Sequence, residues 1–167
     1  LEGHAFEARL YAEDAAKGFL PAIGTLHHLS FAENARIETG VGQGSVISPF
    51  YDPMIAKVVT RGRDRDAALQ MLHAALRHTQ VAGTVTNKAF LSALCLHEDF
   101  AAGKVDTGLI GRDLEKLVPE PVHAQQALVS AALFLAARPL ETVTDNPVDT
   151  LGAFSLWGER SEIIHLE

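Results

Sequence analysis

From His4 to Glu13 apolar and polar residues alternate, with Phe6, Ala8, Leu10 and Ala12 on one side and Glu7, Arg9, Tyr11 and Glu13 on the other. A period of two belongs to a half-buried strand. Asp14 to Lys17 reads as a loop and Gly18-Phe19-Leu20-Pro21 as an extended turn, followed by a second strand over Thr25 to Ser30. Glu33-Asn34 is a tight turn leading into a third strand from Ala35 to Val41, closed by Gly42-Gln43-Gly44. Ser45 to Tyr51 is extended and, holding Pro49, suits a sheet edge; Met54 to Thr60 is the next strand.

At Asp64 the period changes. Ala67, Ala68, Met71, Leu72, Ala75 and Leu76 recur at three- and four-residue spacing, which predicts an amphipathic helix from Arg65 to Thr79 capped by Asp64. Gln80 to Ala82 reads as a short strand, Thr86 as the cap of a second helix through Asn87 to His97, and Leu109 to Val118 as a helical turn. Val122 to Ala137 is a third helix, apolar on most sides, and two strands around Trp157 form a final hairpin. Strands followed by helices on one core predict an α+β fold, mainly antiparallel sheet packed with helices, then an apolar helix and the start of a β region.

Composition narrows the function classes. The chain has 167 residues, 47% of them hydrophobic, enough for one ordinary domain. A net charge of −7 argues against a general phosphate-backbone binder, so no nucleic-acid partner is expected. The apolar run from Ala127 to Ala137 is about half the roughly 20 residues that span a bilayer, so no membrane partner is expected either. The single cysteine, Cys95, lies in an apolar run and reads as a buried structural thiol in a reducing compartment. No signal peptide opens the chain, and Leu-Glu stands at both ends, a pair that cloning commonly leaves, so a piece of a longer protein is expected.

Motifs for self-sufficient catalysis are missing: there is no GxxxxGK[ST], GxGxxG, HExxH, paired CxxC or GxSxG. No metal site is expected. His27 and His28 are adjacent in a strand and point to opposite faces, while His73 and His78 stand roughly 140° apart on a helix. The alternating charges of Arg61 to Asp66 read as a solvated helix start. The polar side of the first strand is the main candidate, because Glu7, Arg9 and Tyr11 follow one another at about 6.6 Å and such a face can hold an anion. The same residues also suit a solvated ion-pair face, worth at most about 1 kcal/mol. Tyr51-Asp52-Pro53 is the second candidate, since Pro53 holds Asp52 extended at the entry to a strand; an ordinary turn fits it as well.

The segments Gly3 to Asp14, Phe19 to Gly24, Arg36 to Gly40, Tyr51 to Lys57 and Thr86-Asn87, in this order, resemble the C-terminal domain of biotin carboxylase. Phe6 to Arg9, Ile37 to Val41 and Asp52 to Lys57 look nearest to α subunits of methylcrotonyl-CoA carboxylases, enzymes of leucine degradation, with the propionyl-CoA enzymes next. The resemblance implies a ligase reaction in which ATP and bicarbonate yield CO2 that N1 of biotin captures. Biotin would be carried on a separate carboxyl-carrier domain, while ATP and Mg would be held by an ATP-grasp part whose motifs this sequence lacks; the chain alone is expected to be inactive. Arg9 matches the family arginine that stabilises the biotin enolate, and guanidinium suits a planar anion because it stays charged and offers fixed donors. Tyr51 and Asp52 match a tyrosine-aspartate pair near the biotin and phosphate side, and Glu7 is placed to orient Arg9.

The implied partners are the N-terminal and ATP-grasp domains of the same chain, the carrier domain and a carboxyltransferase β subunit. The resemblance divides the chain into a biotin carboxylase C-terminal domain at 1–111, a helical linker at 112–145 and the truncated start of a β domain at 146–167. A bacterial, cytoplasmic source is expected because nothing resembles a transit peptide. The other reading is a non-catalytic subunit-interaction module of the same or a related propionyl-CoA, acetyl-CoA, pyruvate or urea carboxylase. Catalysis requires Arg9 and Asp52 to converge on one concave edge, whereas a contact module lets them lie apart.

Overall fold

A computed structural model describes residues 2–118 and 124–136. The chain divides into two units, Leu1–Pro119 and Glu120–Glu167. The architecture is α+β, with small antiparallel sheets and several helices.

The alternating first segment forms β1 (His4–Tyr11), with Ala8 and Leu10 buried beneath an exposed Glu7 and Arg9. The expected single strand to Glu13 is broken. The register with its partner shifts between Leu10 and Tyr11, after which β2 (Glu13–Asp14) pairs with β3 (Leu20–Pro21) instead. The second expected strand also divides, into β4 (Gly24–Thr25) and β5 (His28–Ser30). Its Leu26 turns fully inward, and backbone bonds to Ser45 and from Gly44 hold it there. The third strand shortens to β6 (Arg36–Glu38), and β7 (Val46–Ile47) pairs with β4.

The organising strand is β8 (Met54–Gly62), which lies between β1 and β6 with antiparallel pairing on both sides. Helix α1 (Arg65–His78) packs across this sheet through Leu69, Leu72, Ala75 and Leu76. Its start is fixed as the sequence predicts: the Asp64 side chain accepts the Ala67 N–H at 2.8 Å, and that bond holds the carboxyl below its usual range. Gly62 makes the strand-to-helix corner possible, since a Cβ there would run into the backbone of Ala67 and Ala68. Strand β9 (Gln80–Ala82) returns to pair with β5.

Helices α2 (Lys88–Cys95), α3 (Glu98–Ala101) and α4 (Leu109–Leu117) follow. Leu109 and Leu117 of α4 pack with Phe90 and Ala15, so α4, which straddles the boundary expected at 111, belongs to the first unit. Cys95 is buried, and burial pushes its thiol up to about 11, as suits an inert core residue. Helix α5 (Ala124–Ala136) realises the apolar run in the second unit and exposes Leu128, Val129 and Leu133. The hairpin expected around Trp157 lies outside the described residues. Among those described, no helix is long and apolar enough to cross a membrane.

Arg65, in the same Arg61 to Asp66 segment as the Asp64 cap, is structural as well. Arg65 donates to the carbonyls of Phe100 at 2.6 Å and Ala101 at 3.0 Å, and its guanidinium lies 4.8 Å from the ring centre of Phe6 and 5.7 Å from that of Phe100. It ties α1 to both β1 and α3. Arg65→Ala is expected to lower unfolding free energy by about 2 kcal/mol in urea titration, since charged-donor bonds and a cation–π contact are lost together; a change near zero would show the contacts to be solvated.

Candidate functional site

Register decides what surrounds Arg9. Arg9 lies opposite Lys57 of β8, which in turn lies opposite Glu38 of β6; in the next row Glu7 and Arg36 both face Val59. Three cations and two carboxylates therefore share the outer face of the sheet, in a chain whose net charge is −7. Both carboxylates are engaged elsewhere. The Glu7 carboxylate lies 4.0 Å from the Lys57 ammonium, and Arg36 donates to Glu38.

Arg9 is left without a carboxylate among the described residues, and its guanidinium lies 5.2 Å from the Tyr11 ring centre. Glu7 shares the outer face of β1 with Arg9, and its ion-pair partner among the described residues is Lys57. Residues two apart on one strand are about 6.6 Å apart, whereas the long Lys57 side chain reaches diagonally across the pair.

Strand β1 is an edge strand, and a cleft of about 390 Å³ runs along it. Glu7, Arg9, Tyr11 and Glu13 supply its polar side, and Phe6, Leu91 and Phe100 are among the apolar residues lining it. Tyr51 and Asp52 stand outside that lining. Tyr51 is 85% exposed, and Asp52 is spent on a local turn, its carboxylate accepting the Met54 N–H at 3.2 Å.

No hydrogen bond or ion pair joins Asp52 to Arg9 among the described residues. The link between Asp52 and the cleft is Glu13. Partial burial first, and the Asp52 charge second, raise the Glu13 carboxyl above its usual range. The Ala12 N–H donates to the Pro53 carbonyl at 2.9 Å, which holds the two segments side by side. The structure thus gathers Glu7, Arg9 and Tyr11, as expected, but attaches Asp52 to the end of the site through a residue sequence reasoning left without a role.

Lys57 was also missed. It sits at the centre of the face, a position that only strand pairing reveals. Among the described residues no three His, Cys, Asp or Glu side chains gather into a metal-holding group.

This architecture has close counterparts. The chain is 51% identical over 127 residues to a mitochondrial methylcrotonoyl-CoA carboxylase subunit alpha of Oryza sativa subsp. japonica, covering 74% of this chain and 17% of the relative. It is 42% identical over 159 residues to the subunit alpha of Rattus norvegicus, also mitochondrial, covering 93% and 22%. The chain thus spans about a fifth of the length of these curated relatives. Among solved structures, the biotin carboxylase subunit of pyruvate carboxylase matches with a TM-score of 0.69 and 30% identity over 72% of this chain and 27% of that one. The urea carboxylase of Kluyveromyces lactis matches with a TM-score of 0.63 and 40% identity over 65% of this chain and 10% of that one.

The two curated relatives overturn the expectation of a bacterial, cytoplasmic source, since both are mitochondrial by name and eukaryotic. That expectation leaned on the lack of a transit peptide, and a chain spanning a fifth of its relatives' length carries no information on that point. The family model for the biotin carboxylase C-terminal domain matches residues 7–112, from the Glu7 that opens the polar face through the helices that wall the cleft, and the chain belongs to that family.

Proposed function

We propose that this domain serves the biotin carboxylase half-reaction of a biotin-dependent acyl-CoA carboxylase, the methylcrotonyl-CoA enzyme of leucine breakdown, with Arg9 as its charged contribution to the biotin site. The observation that carries this reading is the Arg9 guanidinium, unpaired with any carboxylate among the described residues, on a face where Glu7 and Glu38 have Lys57 and Arg36 as partners. A cation left without a carboxylate beside a cleft fits a planar anion. Biotin, when bound, would supply a ureido group as the acceptor for CO2, and Arg9 would hold the oxygen of that group.

Arg9 would donate to that oxygen through its planar N–H groups, while Tyr11 lies beside the guanidinium with its ring face. Lys57 adds positive potential from the next strand. Tyr51 and Asp52 stand outside the cleft lining, so the charge is placed on Arg9 and that pair is left at the end of β1, where Asp52 lies near Glu13. ATP and Mg bind the ATP-grasp part of the full-length subunit, and biotin arrives on a carrier domain. The catalytic-side domain is the unit Leu1–Pro119, which includes α4. The exposed Leu128, Val129 and Leu133 of α5 suit contact with a carboxyltransferase β subunit.

The test is ATP cleavage by the full-length subunit carrying this domain. Cleavage is expected to depend on both biotin and bicarbonate; a folded subunit that cleaves ATP independently of both, or not at all, would overturn the reading.

A further inference from the structure

Asn87 is 6% exposed and is the residue from which α2 starts, yet its side chain makes no capping bond to its own helix. An asparagine at that position ordinarily accepts one of the free N–H groups of the first turn. Here the amide turns to β1. Its Oδ1 accepts the Tyr11 N–H at 3.0 Å, its Nδ2 donates to the Arg9 carbonyl at 3.2 Å, and its backbone N–H donates to the Tyr11 carbonyl at 3.1 Å.

These are the groups that the edge strand turns away from β8, because backbone direction alternates along a strand and the free edge has no neighbouring strand. Asn87 therefore takes the place of a missing strand across the two residues whose side chains form the cationic corner of the site. The orientation of its amide is dictated by its partners, since an N–H needs an acceptor and a carbonyl needs a donor.

We infer that Asn87 is a positioning residue for the reaction: by fixing the backbone of residues 9 to 11 it sets the directions of the Arg9 and Tyr11 side chains, and it does so from the helix that walls the cleft. This rests on the reading of Arg9 given above. A donor aimed at developing charge is sensitive to displacements of about 1 Å, so loosening this clamp costs turnover even though Asn87 never touches the substrate.

The experiment compares Asn87→Ala, Asn87→Asp, Arg9→Ala and the double variant Arg9→Ala/Asn87→Ala in the full-length subunit, with biotin, bicarbonate and ATP as substrates. Asn87→Ala is expected to lower kcat for biotin carboxylation by about tenfold, with KM for ATP within about twofold of the parent. In the Arg9→Ala background the same change is expected to add less than about twofold, because its effect passes through Arg9. Asn87→Asp keeps the acceptor for Tyr11 and lacks the donor for Arg9, and it is expected to lose kcat in the same way.

Parental kcat in a folded Asn87→Ala variant beside a crippled Arg9→Ala overturns this inference alone. An equal fractional loss in both backgrounds also overturns it, by showing a general structural effect, as does failure of both Asn87 variants to fold. Parental rates in Arg9→Ala itself strike the underlying assignment of Arg9 instead.

Discussion

Arg9→Ala in the full-length subunit is expected to lower biotin carboxylation by about 100-fold or more, some 2.7 kcal/mol, the usual cost of removing one preorganised donor from developing charge. The size of the loss distinguishes two physical situations. The polar face of β1 is exposed in this domain, and a solvated ion-pair ladder contributes at most about 1 kcal/mol. Among the described residues, however, Arg9 is not part of an ion pair, and the two nearby carboxylates have Lys57 and Arg36 as partners.

Its charge is therefore available to a ligand, and exclusion of water from the site would raise its worth. Arg9→Lys is the control: it keeps the charge but loses the planar fork, and it is expected to fall between parent and alanine. A folded Arg9→Ala variant within about twofold of the parental rate would leave the face as a solvated ladder and this domain as scaffold.

The sequence made the strongest periodicities legible and obscured whatever depended on partners distant in the chain. Helix α1 was readable because its apolar positions recur at helical spacing and Asp64 caps it; both signals are local. The outer polarity of β1 was readable for the same reason. The break after Tyr11 was not, since the register shift comes from pairing with β8 some forty-five residues later. The division of the second strand depends on Leu26 being held by Ser45 and Gly44, which no alternation shows.

The site follows the same rule. Arg9 and Tyr11 share one strand face and were found together, whereas the Glu7–Lys57 pair, the Glu13–Asp52 proximity and the Asn87 clamp each join residues from separate segments. Asn87 shows the point most clearly, because the residue reads as a helix start and serves as a strand partner. Arg65 was misread in the same direction: alternating charge suggested solvent, but its guanidinium closes against Phe6 and Phe100.

Leu10→Ala is expected to be the most destabilising single truncation on β1, at about 2–5 kcal/mol in urea unfolding, because both the transferred methyl groups and the cavity left behind contribute. Leu10 is fully buried in the cluster formed by Ala12, Leu26, Ile47, Ile55 and Ala56. Its surroundings are poorly able to collapse into the gap. Leu26 is pinned through its backbone, and Ile55 and Ala56 belong to the central strand, which is bonded on both sides.

Leu20→Ala supplies the contrast, since Leu20 is 59% exposed and its loss is expected to fall within about 0.5 kcal/mol. Domains of ordinary stability have only about 5–15 kcal/mol in hand, so the Leu10 variant would be visibly closer to unfolding. Leu10 also sits between Arg9 and Tyr11 at the register shift, with its side chain on the opposite face of the strand. A cavity there removes the support beneath the backbone that Asn87 clamps from the edge, so Leu10→Ala is expected to reduce biotin carboxylation at temperatures where the protein is still fully folded. A loss below about 1 kcal/mol, with turnover unchanged, would show that the cluster repacks and that the edge bonds hold β1 without it.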